Sequence, residues 1–199
     1  MTKNTLKRND LLFSLCGLNC SLCPSFIRGN CTGCQEGSSC ALICEIAPCS
    51  IEHGNIDYCF ECSEYPCSKY EGIDKYDSLI SHKNQLTDMQ KAKTIGMDKY
   101  HEEQMEKGKI LKKLLAEYDV GHRDVFFCLA VNLLEVDDLK NVLKDCDELT
   151  SNMGFDEKSL FMKERLIDCG EKRNIELKLS KKFKFILKMM LIFPYILLS

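Results

Sequence analysis

The sequence predicts a mainly α-helical protein, in which a small, irregular, metal-stapled cysteine-rich module is followed by a helical bundle. Three observations support this fold class. Eleven of the fourteen cysteines lie between Cys16 and Cys67. The same stretch has almost no amphipathic period and is interrupted by glycine and proline. After residue 85, apolar residues recur at helical spacing instead.

Residues 1–70 are predicted to form the cysteine-rich metal-binding module. They contain few aliphatic side chains, and a segment this small usually needs a staple in addition to its hydrophobic core. A structural zinc site contributes about 10–16 kcal/mol of apparent binding free energy to folding. We therefore expect metal binding and folding of this module to be one equilibrium.

Residues 71–182 are predicted to form the helical bundle, after a polar linker over 68–85. Apolar periodicity predicts helices over 86–95, 99–118 and 125–134, and two more that begin near 137 and 156. The helix over 125–134 is nearly continuous in apolar residues, so it should be the most buried of the five.

Residues 183–199 are predicted to be a hydrophobic C-terminal tail. The run from Phe185 to Leu198 is apolar except for Lys188, and it is shorter than the roughly 20 residues that a bilayer span needs. We expect the tail to pack on the bundle, with weak interfacial membrane contact as the alternative because lysines precede it. Residues 175–185 alternate between apolar and polar, which is typical of a strand.

The net charge and the N-terminal sequence bear on which partner and which cellular compartment we expect. The net charge is -3 and the pI is about 5.9, so no basic field favours a nucleic-acid partner. Residues 1–10 are polar and do not resemble a signal peptide, so we expect a cytoplasmic protein. In a reducing compartment, dense cysteine favours metal binding over disulfides.

The cysteine spacing is that of metal ligands, because zinc takes four thiolate or imidazole ligands and Cys-x-x-Cys pairs supply two at a time. Two four-cysteine sites would use eight cysteines, and adding His53 would give twelve ligands, enough for three sites. A lone histidine of this kind is more often a surface residue. The candidate metal ligands are Cys16, Cys20, Cys23, Cys31, Cys34, Cys40, Cys44, Cys49, Cys59, Cys62 and Cys67.

The pairing of these ligands stays open in the sequence. Clear half-sites are Cys20 with Cys23, Cys31 with Cys34, and Cys59 with Cys62; Cys44 with Cys49, or Cys40 with Cys44, offers a looser fourth. Gly33 can take positive φ at no steric cost and so tightens its pair. The half-site Cys59 with Cys62 matches the half-site Cys31 with Cys34. Two sites of four would then leave over Cys16, Cys67 and one of Cys40, Cys44 and Cys49.

An iron–sulfur protein is the alternative, because a [4Fe-4S] cluster also takes four thiolates. The spacing of Cys16, Cys20 and Cys23 matches the cluster motif of radical S-adenosylmethionine enzymes, but those enzymes need a large β/α barrel that this chain does not offer. A cluster protein here would be an electron carrier or a component of a redox enzyme.

No catalytic constellation is recognisable, so no catalytic residue is assigned and the interpretation leans against an enzyme. The sequence has no glycine-rich phosphate loop, nucleophile elbow or His-Glu-x-x-His helix. Cys128, Cys146 and Cys169 occupy apolar helical positions, where we expect buried, unreactive thiols.

Four motifs together resemble the cysteine-rich domain of unknown function 3795 family of bacteria and archaea. They are the runs Cys16–Cys23, Cys31–Cys34, Cys44–Cys49 and Cys59–Cys67. The resemblance covers residues 11–70, and the later helices are similar to a long-form member. It implies a metal-binding role without an established activity, and the hydrophobic end after Phe183 does not match it.

Taken together, the sequence predicts a cytoplasmic zinc-binding protein with two or more mainly structural Zn²⁺ sites. The helical bundle would then serve an interaction or regulatory role with a protein partner that the sequence does not identify.

Overall fold

A computed structural model describes residues 6, 8–35, 37–38 and 40–180. Over these residues the chain forms seven α-helices and no strand, so the predicted mainly helical fold is confirmed. The helices are α1 (Pro24–Ile27), α2 (Ile46–Glu52), α3 (Gln85–Ile95), α4 (Met97–Glu117), α5 (Asp124–Leu133), α6 (Val136–Leu149) and α7 (Phe155–Lys172).

The five predicted helices correspond to α3–α7, and each begins within two residues of its predicted start. Seven of the ten residues of α5 are buried, as its continuous apolar sequence predicts. The strand-like expectation is wrong over 175–180, which carries no strand, and the rest of that segment lies outside the described residues. The predicted tail, 183–199, also lies outside them.

The helical bundle has one hydrophobic core, formed by α4, α5, α6 and α7. Fully buried side chains from each helix meet there, including Leu114, Phe127, Leu139 and Met162. Leu22 of the cysteine-rich segment joins the same core. Cys128 and Cys146 are buried as predicted, whereas Cys169 is only partly buried. In the described part of the chain, no helix is long and apolar enough to cross a membrane.

A second core lies beneath the cysteine-rich segment and is largely aromatic. Phe13 and Tyr58 from this segment pack with Met89 of α3 and Tyr100 of α4. The rings of Phe13 and Tyr100 have centroids 4.7 Å apart. The segment therefore buries apolar surface against the helices, which adds to the little that its own aliphatic residues supply.

The stretch from 68 to 84 packs against its surroundings and is not a loose linker. Ile80 and Ser81 are buried, and Asp77 Oδ1 accepts hydrogen bonds from Ser81 Oγ and the His82 amide. His82 is held by the Ile73 carbonyl and by Ser78 Oγ, at 3.1 and 3.0 Å from its ring nitrogens. The predicted boundary at residue 70 stays a prediction.

Asn19 is the centre of a buried polar network that joins the cysteine-rich segment to three helices. Its Nδ2 donates to Asp88 Oδ2 at 2.7 Å and to Asn132 Oδ1 at 3.1 Å. Its Oδ1 accepts the Tyr100 hydroxyl at 2.9 Å. Asn19, Tyr100 and Asn132 are each at most 1% exposed. Because buried polar groups are costly when unpaired, these bonds fix the segment on α3, α4 and α5.

Gly17 brings the chain into direct contact with α3, two residues before Asn19. Its φ is +99°, and an added Cβ would lie 2.3 Å from Met89 Cγ and 2.7 Å from the Gln85 carbonyl oxygen. The Gln85 side-chain amide donates to the Cys16 carbonyl at 2.9 Å. Only glycine fits this approach, so Gly17 sets the position of the flanking Cys16 and Cys20.

We predict that Gly17→Ala lowers the free energy of unfolding more than Gly29→Ala does. Gly29 also has positive φ, +74°, but an added Cβ there meets no atom within 4 Å. The Gly29 variant should lose about 1–2 kcal/mol through backbone strain alone. The Gly17 variant should lose about 1–3 kcal/mol more, because Met89 and α3 must move.

Urea denaturation of both variants at equal metal content measures the difference. Equal losses would contradict the close packing of Gly17 on α3.

Candidate metal centre

The structure divides the eleven predicted ligands between two pockets. Seven of them line a first pocket: Cys16, Cys20, Cys23, Cys31, Cys34, Cys40 and Cys44. The remaining four line a second pocket: Cys49, Cys59, Cys62 and Cys67. All fourteen cysteines of the chain are free thiols. We refer to the two sets as the seven-cysteine pocket and the four-cysteine pocket.

Local turns set the spacing of the Cys-x-x-Cys pairs. Cys20–Leu22 and Cys59–Glu61 each form one turn of 3₁₀-helix. In both turns the second cysteine of the pair donates its amide to the carbonyl of the first at 3.0 Å. Gly33 has a φ of +91°, which confirms the positive φ expected within the pair Cys31 and Cys34.

The seven-cysteine pocket has a volume of about 280 Å³ and a mainly apolar wall. Burial raises the pKa of the Cys20 and Cys40 thiols, with the charge of neighbouring cysteines adding to the effect, and the pKa of Cys40 reaches about 12. Burial likewise raises the pKa of Cys16. Several thiolates can share this wall only if a positive charge offsets desolvation and mutual repulsion.

The four-cysteine pocket is much smaller, about 20 Å³. Cys49 comes from α2, whereas Cys59, Cys62 and Cys67 come from the chain ten or more residues later. Burial raises the pKa of Cys59 to about 12. The Glu64 amide donates a hydrogen bond to Cys62 Sγ at 3.5 Å.

Tyr70 and a backbone bond connect the four-cysteine pocket to the start of the first motif. The Cys59 amide donates to the Leu15 carbonyl at 2.9 Å. The hydroxyl of Tyr70, which is 5% exposed, donates to the Cys16 carbonyl at 3.3 Å. The two pockets are therefore held by a common backbone framework around residues 15 and 16.

The observed grouping differs from the simplest pairing by sequence. Cys31 and Cys34 line a different pocket from Cys59 and Cys62, so these two half-sites do not face each other. Cys67, which the pairing by sequence leaves over, lines the same pocket as Cys49, Cys59 and Cys62.

His53 lies at the four-cysteine pocket, which already has four thiols. Its Nδ1 is 2.8 Å from the Cys49 carbonyl and 3.6 Å from Cys49 Sγ, and the residue is exposed. The seven-cysteine pocket gains no histidine from it. The structure thus places seven cysteines at one pocket and four cysteines with His53 at the other. It does not divide the twelve possible ligands into three sets of four.

The cysteine side chains can be compared with the ligands that zinc and iron–sulfur clusters take. Among the residues that the structure describes, no three His, Cys, Asp or Glu side chains stand as a preformed metal-ligand group. Four thiols around one small pocket are nevertheless the donor set that tetrahedral zinc takes, and an iron–sulfur cluster also needs four. The donor set thus suits either group.

Comparison with known proteins bears on the cysteine-rich segment alone. No curated protein and no solved structure matches the chain. A family described as "Protein of unknown function (DUF3795)" matches residues 12–72, which contain all eleven candidate metal ligands. The resemblance predicted from the cysteine motifs is confirmed over these residues.

Proposed function

We propose that this chain is a zinc-binding protein and that the four-cysteine pocket holds a structural Zn²⁺ ion. The observation that carries the proposal is the meeting of Cys49, Cys59, Cys62 and Cys67 at one pocket of about 20 Å³. Zinc has no redox chemistry and prefers a tetrahedral set of this kind. The four thiolates would hold the ion, and the ion would cross-link the segments that supply them.

The origin of the ligands supports a structural role. Cys49 lies in the seven-residue helix α2, and the other three lie in irregular chain from residue 59 onward. So short a helix is marginal by itself. A structural zinc ion contributes about 10–16 kcal/mol of apparent free energy, so binding at these residues would govern whether 46–67 is ordered.

The bundle carries the interaction or regulatory part of the proposal. Leu149, Phe155 and Leu160, at the end of α6 and in α7, are 60, 51 and 46% exposed. The three residues follow one another in sequence around the junction of α6 and α7, and exposed apolar patches are typical of protein-binding surfaces. A cytoplasmic setting, where thiols stay reduced, belongs to the same proposal.

The seven-cysteine pocket supports a second candidate, an iron–sulfur cluster protein. Its larger volume of about 280 Å³, its mainly apolar wall and its seven thiols suit a [4Fe-4S] cluster, which would take four of them. An apolar shell restricts solvent access and so tunes the potential of such a cluster. A further zinc ion in this pocket is the competing assignment.

We predict that the purified chain contains zinc and that Cys49→Ser removes one zinc ion per chain, because serine is a poor zinc ligand. The segment 46–67 should then exchange its amide hydrogens at the rate of unfolded chain. Elemental analysis and hydrogen exchange measure the two effects. Cys169→Ser, in α7 and outside both pockets, is the matched control and should keep all its zinc.

Zinc-free protein, or a Cys49→Ser variant with unchanged zinc and unchanged exchange, would sink the assignment of the four-cysteine pocket.

The metal of the seven-cysteine pocket is tested separately by anaerobic purification with iron supplied. If the second candidate holds, the protein is brown, and Cys20→Ser loses the visible absorption while its zinc content stays unchanged. Cys49→Ser should do the reverse, since Cys20 and Cys49 line different pockets. Colourless, iron-free wild-type protein would exclude the cluster and leave zinc as the metal of both pockets.

A further inference from the structure

A third pocket, about 510 Å³ in volume and here named the polar pocket, lies between α3, α4, α5 and the chain after α7, and its described wall contains no cysteine. We propose that it binds a small zwitterion of the α-amino-acid class, with the ligand carboxylate on Lys107 and the ligand ammonium on Asp88. Its wall also includes Asn84, Asn132 and Glu135. Small-molecule sites usually have volumes of about 300–1,000 Å³, so the size is suitable.

Lys107 carries a buried amine with donors to spare, and burial lowers its pKa, so its ammonium form needs an anion beside it. It is 3% exposed and lines the pocket from α4. Within the described chain its Nζ makes one hydrogen bond, to the Asn132 carbonyl at 3.4 Å. An ammonium has three N–H donors and is costly to bury unless they are paired. An anionic oxygen in the pocket would satisfy the remaining donors.

Asp88 supplies the opposite charge on the same wall. It is 8% exposed, and its Oδ2 accepts hydrogen bonds from Asn19 Nδ2 at 2.7 Å and Asn84 Nδ2 at 2.5 Å. Burial raises the pKa of Asp88 to about 6, against the opposing charge of Lys107. The carboxyl is therefore mostly ionised at neutral pH and can receive a ligand ammonium.

The separation of these two charges favours a bridging ligand. Lys107 and Asp88 each feel the other's charge, yet they form no direct ion pair in the part of the chain that the structure describes. Both residues line the same pocket. An α-amino-acid head group presents a carboxylate and an ammonium on one carbon, which complements an amine and a carboxylate on the wall of one pocket.

The balance of charge around the pocket excludes other ligand classes. Two lysines, Lys83 and Lys107, face three acidic residues, Asp88, Glu135 and Glu176. Lys83 is already engaged, because its Nζ donates to two backbone carbonyls after α7 at 2.9 and 3.0 Å. Glu135 is paired with Lys91 at 3.3 Å, which leaves Lys107 beside Asp88 and Glu176. A phosphate or nucleotide would meet those two carboxylates, and an apolar ligand would leave Lys107 unpaired.

The wall is held rigid by a reciprocal pair of amides. Asn84 Nδ2 donates to the Asn132 carbonyl at 3.0 Å, and Asn132 Nδ2 donates back to Asn84 Oδ1 at 3.2 Å. Asn132 is fixed further by Asn19, at 3.1 Å. A polar wall whose side chains are already positioned loses little conformational entropy when a ligand binds.

The test is a titration of the full, metal-loaded chain with the standard L-amino acids, one at a time, by isothermal calorimetry. Propionate and propylamine each carry one half of the head group and serve as ligand controls. We expect saturable binding of at least one amino acid, at least tenfold tighter than either half-ligand. Lys107→Met and Asp88→Asn should each weaken it at least tenfold.

Lys109→Met is the matched control, because Lys109 lies on the same helix but is directed to the surface, where it pairs with Glu106 at 3.1 Å. It should bind as the wild type does. If Lys107→Met fails to fold, the nearly isosteric Asp88→Asn still decides. The proposal is overturned if no amino acid binds more tightly than about 1 mM, if phosphate binds in preference, or if Asp88→Asn binds unchanged.

Discussion

The rest of this structure depends on the hydrogen bonds that the buried side chain of Asn19 makes. Its amide reaches α3 through Asp88, α4 through Tyr100 and α5 through Asn132, and water has no access to it. Losing any of these partners would leave a buried donor or acceptor unpaired, at about 1–3 kcal/mol each. The orientation of the cysteine-rich segment on the helices is therefore fixed to one arrangement.

That constraint also explains why the cysteine pockets and the polar pocket are neighbours. Asn19 directly precedes Cys20, which lines the seven-cysteine pocket, and it donates to Asp88, which lines the polar pocket. One short loop thus presents a thiol to one side and an amide to the other. Gly17 makes this possible, because only a residue without Cβ allows the loop to approach Met89 and Gln85 of α3.

The sequence predicts the parts of this fold that depend on local periodicity. The five long helices, the buried α5 and the positive φ of Gly33 all follow from patterns that span a few residues. The strand predicted from the alternation that begins at residue 175 is absent over 175–180. A strand needs a partner strand, and an alternating sequence does not by itself supply one.

The grouping of the ligands could not be predicted, because it depends on contacts that are distant in sequence. All eleven cysteines were identifiable by spacing, yet which of them meet depends on bonds such as the one from the Cys59 amide to the Leu15 carbonyl. The polar pocket was missed for a similar reason. Lys107, Asp88 and Asn132 sit on three helices, and as isolated polar residues they look like solvated surface.

The difference in size between the two cysteine pockets bears on how the proposed metals would behave. The four-cysteine pocket, of about 20 Å³, would have room for one ion. All four of its thiols would bind that ion, so the site would have no spare ligand. The seven-cysteine pocket, of about 280 Å³, has three thiols more than one four-thiolate site would use. A thiolate that is not bound to metal stays available for ligand exchange or oxidation once it is exposed. A change of metal or redox state would therefore begin at the seven-cysteine pocket and not at the four-cysteine pocket.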